Sequence, residues 1–208
     1  MTKEEAKSSI AYFMHRAYER GLTTSTGGNI SMRFGDLMLI TPSGKDKNSL
    51  TAEDIAEVEL LSGKNLTPEF KLSIETEMHR SVYLERADVN AVVHSHPTCC
   101  CLFSASSEEI DLSLIAESWY LFGNRVEKAP YRLMGTKDLA DVVAEYIKRN
   151  DALLLEKHGA LAVGKTLLQA FDRIECLEQA AKMTYMAKTI KVSGLSDSEK
   201  LGIDGMKA

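Results

Sequence analysis

Ala91-Val92-Val93-His94-Ser95-His96-Pro97 is the stretch on which the reading of this chain turns. Val92 and Val93 are β-branched and favour extended backbone, and Pro97 closes the run. Along a strand, side chains at i and i+2 share a face, so His94 and His96 project together. Two imidazoles on one rigid element make the beginning of a zinc site, which commonly takes three or four ligands. Chance produces such a pair often, so its worth depends on ligands elsewhere in the chain.

Working outward, the segment before this strand, Lys71 to about Ala87, reads as a helix. Ile74, Met78 and Val82 recur at helical spacing, and Ser73 can cap the N-terminus. Glu75 would then lie in the first turn, either complementing the helix dipole or serving as a carboxylate and general base beside a metal. His79, one turn on, reads as structural. The free N–H groups of such a terminus also suit a phosphate. On the other side, Cys99, Cys100 and Cys101 are consecutive and cannot all converge on one ion; they read as small buried hydrophobes.

The third imidazole comes much later. Ala152 to Glu156 reads as a buried strand, Lys157-His158-Gly159 as a turn, and Ala160 to Val163 as a second strand. His158 is placed to point into a site. Two loops rich in hydroxyls and glycine lie upstream, Thr23 to Ser31 and Thr41-Pro42-Ser43-Gly44, each beside a strand. Either loop alone is a turn; together they resemble opposite walls of a phosphate pocket. The apolar run from Ile110 to Phe122 carries Glu117, a carboxylate at a helix edge or held in a pocket with a raised pKa. Amphipathic helices are expected near residues 3–20, 138–148 and 166–191, with the methionines of the last one in the core. His15 reads as an ordinary surface residue.

Composition sets the outer bounds. The 208 residues suffice for one domain with a sizeable core, expected over 1–192, followed by a flexible C-terminal tail over 193–208. A net charge of −5 argues against a nucleic-acid partner. No apolar run reaches the roughly 20 residues that span a bilayer, so no membrane association is expected. Four cysteines without a disulfide-like spacing fit a reducing, cytoplasmic setting.

Gly28-Asn29-Ile30-Ser31, Thr41-Pro42-Ser43-Gly44, Ser73-x-Glu75, His94-x-His96-Pro97 and Lys157-His158-Gly159 stand in the order and spacing of the class II aldolase/adducin family, which the chain resembles over roughly residues 5–190. The resemblance implies an α/β protein: a three-layer α/β/α domain around a mainly antiparallel sheet, assembled as a homotetramer with interfacial sites. It implies that His94, His96 and His158 bind zinc, with Mn2+ or Co2+ as alternatives. Glu75 would be a fourth ligand or the base. Gly28, Asn29, Ser43, Gly44 and Ser73 would hold the phosphate of a small sugar phosphate, and Glu117 would be a second acid/base group. The implied activity is metal-dependent cleavage of a ketose 1-phosphate, such as that of L-fuculose, to dihydroxyacetone phosphate and an aldehyde through an enediolate. The alternatives are a 4-epimerase, dehydratase or decarboxylase of the same family, or a non-catalytic adducin-like module.

Overall fold

A computed structural model of the protein describes residues 1–207. Helix α1 (Lys3–Glu19) leads into strands β1 (Asn29–Phe34), β2 (Leu37–Ile40) and β3 (Ala56–Glu59). Helix α2 (Thr76–Glu85), β4 (Ala91–Ser95) and α3 (Thr98–Ser104) follow, then α4 (Ala116–Phe122), β5 (Glu127–Ala129) and α5 (Lys137–Ile147). Strands β6 (Ala152–Leu155) and β7 (Gly159–Gly164) and helices α6 (Leu167–Met186) and α7 (Asp197–Asp204) complete the chain.

The strands form one sheet in the order β3-β2-β1-β4-β7-β6-β5, which puts the His-x-His strand at its centre. Every neighbouring pair is antiparallel except β5–β6, so the sheet is mixed, with a single parallel pair at one edge. Period-two alternation divides the apolar side chains between the two faces. Ile30, Leu39, Val93, Leu154 and Ala162 cluster with Ile10 and Met14 of α1 and with Phe171, Ile174 and Leu177 of α6. Met38, Ile40, Val92, Leu153, Leu161 and Val163 cluster instead with Met78 and Val82 of α2 and with Val143 and Ile147 of α5. The result is the three-layer α/β/α arrangement with a mainly antiparallel sheet.

Three local expectations are corrected. Helix α2 begins at Thr76, with Glu75 in the N-cap position, not at Lys71. The Ser73 hydroxyl accepts the Asn29 side-chain amide at 3.1 Å and the Glu75 N–H at 3.3 Å, and Lys71 gives its carbonyl to Ser43 N–H. These bonds hold residues 71–75 outside the helix and turn Ile74 outward, 54% exposed. Met186 on α6 is exposed and not a core residue. Residues after 193, expected to be poorly ordered, contain α7. Its start is a capping box in which Ser196 and Glu199 bond each other's main-chain N–H. The helix is tied to α4 by Trp119 Nε1–H donating to Asp204 at 3.2 Å.

Cysteines 99–101 lie on α3, whose first N–H groups are not left bare. Cys99 and Cys100 both donate to the Glu178 carboxylate of α6, at 3.0 and 2.9 Å. Only Cys100 is fully buried; its two neighbours are half-buried.

Phe171, near the start of α6, is wholly buried in the cluster between α1, α6 and the sheet. Its replacement by alanine should lower stability by about 3–5 kcal/mol, read from urea denaturation midpoints. A loss below about 1 kcal/mol would mean that this face does not depend on α6 packing as described.

Candidate active site

Strand register assembles the site. The β1–β4 pairing sets Asn29 opposite His94 and Ser31 opposite Val92, and the β4–β7 pairing sets Ser95 opposite Ala160. Directly opposed residues share a face, so Asn29, Ser31 and His94 all look toward α2. That helix brings Glu75 from its N-cap and His79 from its first turn. His158 arrives from the β6–β7 hairpin, where Leu155 pairs with Gly159 and His158 N–H bonds the Leu155 carbonyl at 3.0 Å. Lys157 at the turn adopts φ 54°, a left-handed conformation uncommon for a residue with a Cβ.

Two glycines let the backbones come this close. A Cβ on Gly159 would lie 2.5 Å from Ser95 O and 2.7 Å from His96 Cδ2. One on Gly28, itself at φ 63°, would lie 2.9 Å from His94 O. Neither position accepts a side chain without moving β4.

The side chains converge on one point. Glu75 Oε2 lies 3.3 Å from His94 Nε2, and Glu75 Oε1 lies 3.0 Å from His158 Nε2. His96 Nε2 is 3.1 Å from His94 Nε2, and the ligating atoms of the three histidines all lie within 4.8 Å of one another. Nitrogens on a tetrahedral ion with bonds near 2.0 Å stand roughly 3.3 Å apart. His94 Nδ1–H donates to the Ala160 carbonyl at 2.9 Å, which leaves its Nε2 lone pair facing the centre.

A buried relay behind the site fixes the carboxylate. Tyr83 O–H donates to Ser31 Oγ at 2.8 Å, and the Ser31 hydroxyl donates to His79 Nδ1 at 2.7 Å. His79 Nε2–H then donates to Asn29 Oδ1 at 2.6 Å, so the Asn29 amide nitrogen is left to donate to Glu75 Oε2 at 2.8 Å. Each donor in this chain has one orientation that satisfies the next group. His79, read as structural from sequence, is a positioning residue for Glu75.

Electrostatics follow from burial and neighbours. Desolvation pushes the Glu75 carboxyl up, but His94, His158 and the Asn29 amide outweigh it, so the group is held well below the usual carboxylate range. Burial drives His94 down to about 4, against the opposing pull of Glu75, and His79 down to about 3. His96 is lowered too, first by burial and then by His158. At neutral pH the centre therefore sets the Glu75 carboxylate beside the unprotonated Nε2 of buried His94. Glu75 Oε1 is buried without a hydrogen bond. This donor set suits a divalent metal: three neutral nitrogens, one carboxylate, and an open side.

The open side is a cavity of about 200 Å³. Gly28, Asn29, Ser43, Ser73, Glu75, His96 and His158 line it, so the two hydroxyl loops and the segment before α2 meet there. Gly44, at φ 74°, is not among its lining residues. Glu117 is not brought there: it is exposed in the first turn of α4, near the Cys176 thiol of α6, which burial pushes up first and the Glu117 charge second. Sequence reasoning missed Lys47, a fully buried lysine that also lines the cavity. The Ser43-Gly44-Lys45-Asp46-Lys47 run gave only a charge pattern that a solvated loop would share.

The family described as the Class II Aldolase and Adducin N-terminal domain matches residues 8–185. The chain belongs to that family. Among class II aldolases it is 37% identical to the L-fuculose phosphate aldolase of Escherichia coli K12, over 86% of this chain and 83% of the relative. It is 33% identical to the 5-deoxy-D-ribulose 1-phosphate aldolase of Bacillus thuringiensis, over 91% and 89% of the two chains. A solved L-fuculose 1-phosphate aldolase superposes with a TM-score of 0.87 at 31% identity, covering 98% of this chain and 97% of its own. No helix of the described residues is long and apolar enough to cross a membrane.

Replacing His79 by phenylalanine in this class II aldolase leaves the Asn29 carbonyl buried without a donor. The cost should be about 1–3 kcal/mol in urea denaturation. Unchanged stability would show that the relay is not held together as the hydrogen bonds indicate.

Proposed function

We propose that this protein is a zinc-dependent aldolase that cleaves a ketose 1-phosphate to dihydroxyacetone phosphate and an aldehyde. The carrying observation is that Glu75 converges with three histidines beside a small cavity walled by hydroxyls and glycine from three separate segments. Relatives named for the phosphates of fuculose and 5-deoxyribulose support the same reading.

The phosphate would rest against Gly28, Ser43 and Ser73, where main-chain N–H groups and hydroxyls can coordinate it. That anchorage lays the sugar carbons toward His96, His158 and Glu75. His94, His96 and His158 would hold a divalent metal, which would supply Lewis-acid stabilisation of the charge that develops on substrate oxygen. In the addition direction the Glu75 carboxylate takes the proton from the carbon beside the carbonyl of dihydroxyacetone phosphate. The electron pair left behind attacks the aldehyde carbon, and the aldehyde oxygen gains a proton. Cleavage reverses each step, with Glu75 returning its proton to carbon. The low-lying carboxyl starts in the ionised form that a base requires. Asn29, held by His79, keeps it aimed. The acid that serves the aldehyde oxygen is a separate group, and Glu117 lies outside this chain's cavity. A homotetramer with interfacial sites, as the family resemblance implies, would let a neighbouring subunit supply it.

Mass spectrometry of zinc-loaded protein incubated with ketose 1-phosphates, ketose 5-phosphates and 3-oxo-acid phosphates tests the assignment. Dihydroxyacetone phosphate should appear from a ketose 1-phosphate and vanish when a chelator is added. Loss of water or carbon dioxide, or an isomer of unchanged mass, would move the reaction to a dehydratase, decarboxylase or epimerase. Glu75→Gln keeps the three histidines and should retain zinc while losing at least about a hundredfold in turnover, the scale of general-base catalysis. Wild-type turnover in that variant would remove Glu75 from the role of base.

A further inference from the structure

Lys47 is 1% exposed, yet nothing negative accompanies it. Its ammonium donates to the Pro42 carbonyl at 3.0 Å and makes no other hydrogen bond. Among the described residues, no carboxylate lies within ion-pair distance of it, although Lys45 two positions earlier pairs with Asp54 at 3.0 Å. Lysine is almost never fully buried unless paired, because an uncompensated interior charge is costly. Burial lowers Lys47 only to about 8, so it still carries its proton at neutral pH. Two of its three N–H donors have no partner. Such a group lowers stability unless something outside the chain completes it.

Its location indicates what that is. Main-chain Lys47 N–H bonds the Ser25 carbonyl at 2.9 Å, and the side chain ends on Pro42, so the residue clasps the two hydroxyl loops together. It lines the same cavity as Gly28, Ser43 and Ser73 and, among the described residues, is the only lysine or arginine that does so. The hydroxyls and N–H groups there are neutral, Ile74 adds only an apolar side chain, and the one formal charge besides Lys47 is the Glu75 carboxylate, which repels an anion. A phosphate monoester brings nearly two negative charges at neutral pH.

We propose that Lys47 is the counter-charge of the phosphate subsite, its ammonium contacting the phosphate group of the substrate; this rests on the phosphate-binding reading of the cavity above. A lysine suits the task as a compact charge with several donors. The substrate then supplies the anion that the fold withholds.

The test is calorimetric titration of zinc-loaded protein with inorganic phosphate and, separately, with dihydroxyacetone phosphate. The wild type, Lys47→Met and Lys47→Arg are compared, with circular dichroism confirming the fold of each. Lys47→Met should weaken both ligands by about tenfold or more, the weight of one charge-assisted hydrogen bond, while Lys47→Arg recovers part of the loss. The same Lys47→Met protein should melt at a higher temperature than the wild type in the absence of ligand, which a merely structural lysine would not produce. Equal binding by wild type and Lys47→Met would overturn the role of Lys47 and leave the phosphate pocket standing. No binding of either ligand by the wild type would overturn both.

Discussion

The site depends on the antiparallel register of β1, β4 and β7. Asn29 opposite His94 and Ser95 opposite Ala160 are backbone facts, set by ladder hydrogen bonds and by which face each strand buries. A slip of one residue in β4 would send His94 into the apolar layer beneath α1 and α6 and put Val93 in its place on the α2 face. Register here is specified by the two cores, and the site inherits its precision from them. The loops then have short tasks: β7 begins at Gly159, and the turn before it has only to present His158.

Much of this was legible in the sequence because it was periodic or compositional. The i, i+2 histidines, the buried β-strand around Leu153 to Leu155 and the glycines at 28 and 159 each carry a local signature. The relay from Tyr83 through Ser31 and His79 to Asn29 carries none, because its members alternate between two elements, α2 and β1, that meet only in the folded state. The same limit explains α2. Ser73 followed by a helical pattern is a sound cap locally, but Asn29, far away in sequence, claims its hydroxyl and Glu75 takes the N-cap position. The C-terminal helix was the opposite case. Ser196-x-x-Glu199 is a local capping signal, obscured by the polar residues and glycines around it. Glu117 shows the cost of reading an apolar run without its neighbours: the carboxylate is on the exposed side of α4.

Around the cavity the fold accumulates groups that are poorly satisfied by the chain alone. Three imidazoles turn toward one another, Glu75 Oε1 lacks a hydrogen bond, Lys157 holds a left-handed backbone, and Lys47 is buried without an anion. Each lowers stability, and such departures cluster where a site is pre-organised for a ligand. The surrounding sheet carries the cost, since β4 is flanked by three strands on each side and covered on both faces by helices.

These groups are also sorted by sign. Electron-rich nitrogens and the carboxylate gather where His94, His96, His158 and Glu75 meet, and the single cation sits on the hydroxyl loops. With a cation on the nitrogens, as proposed above, a ligand completing both groups would offer metal-binding oxygens at one end and an anion at the other. Such a molecule is oriented by electrostatics before any shape contact is made, because reversing it would set anion against carboxylate. The relay behind Glu75 completes the arrangement from the protein side. With His79 kept neutral by burial, the amide of Asn29 has one stable direction, and the carboxylate has one place to point.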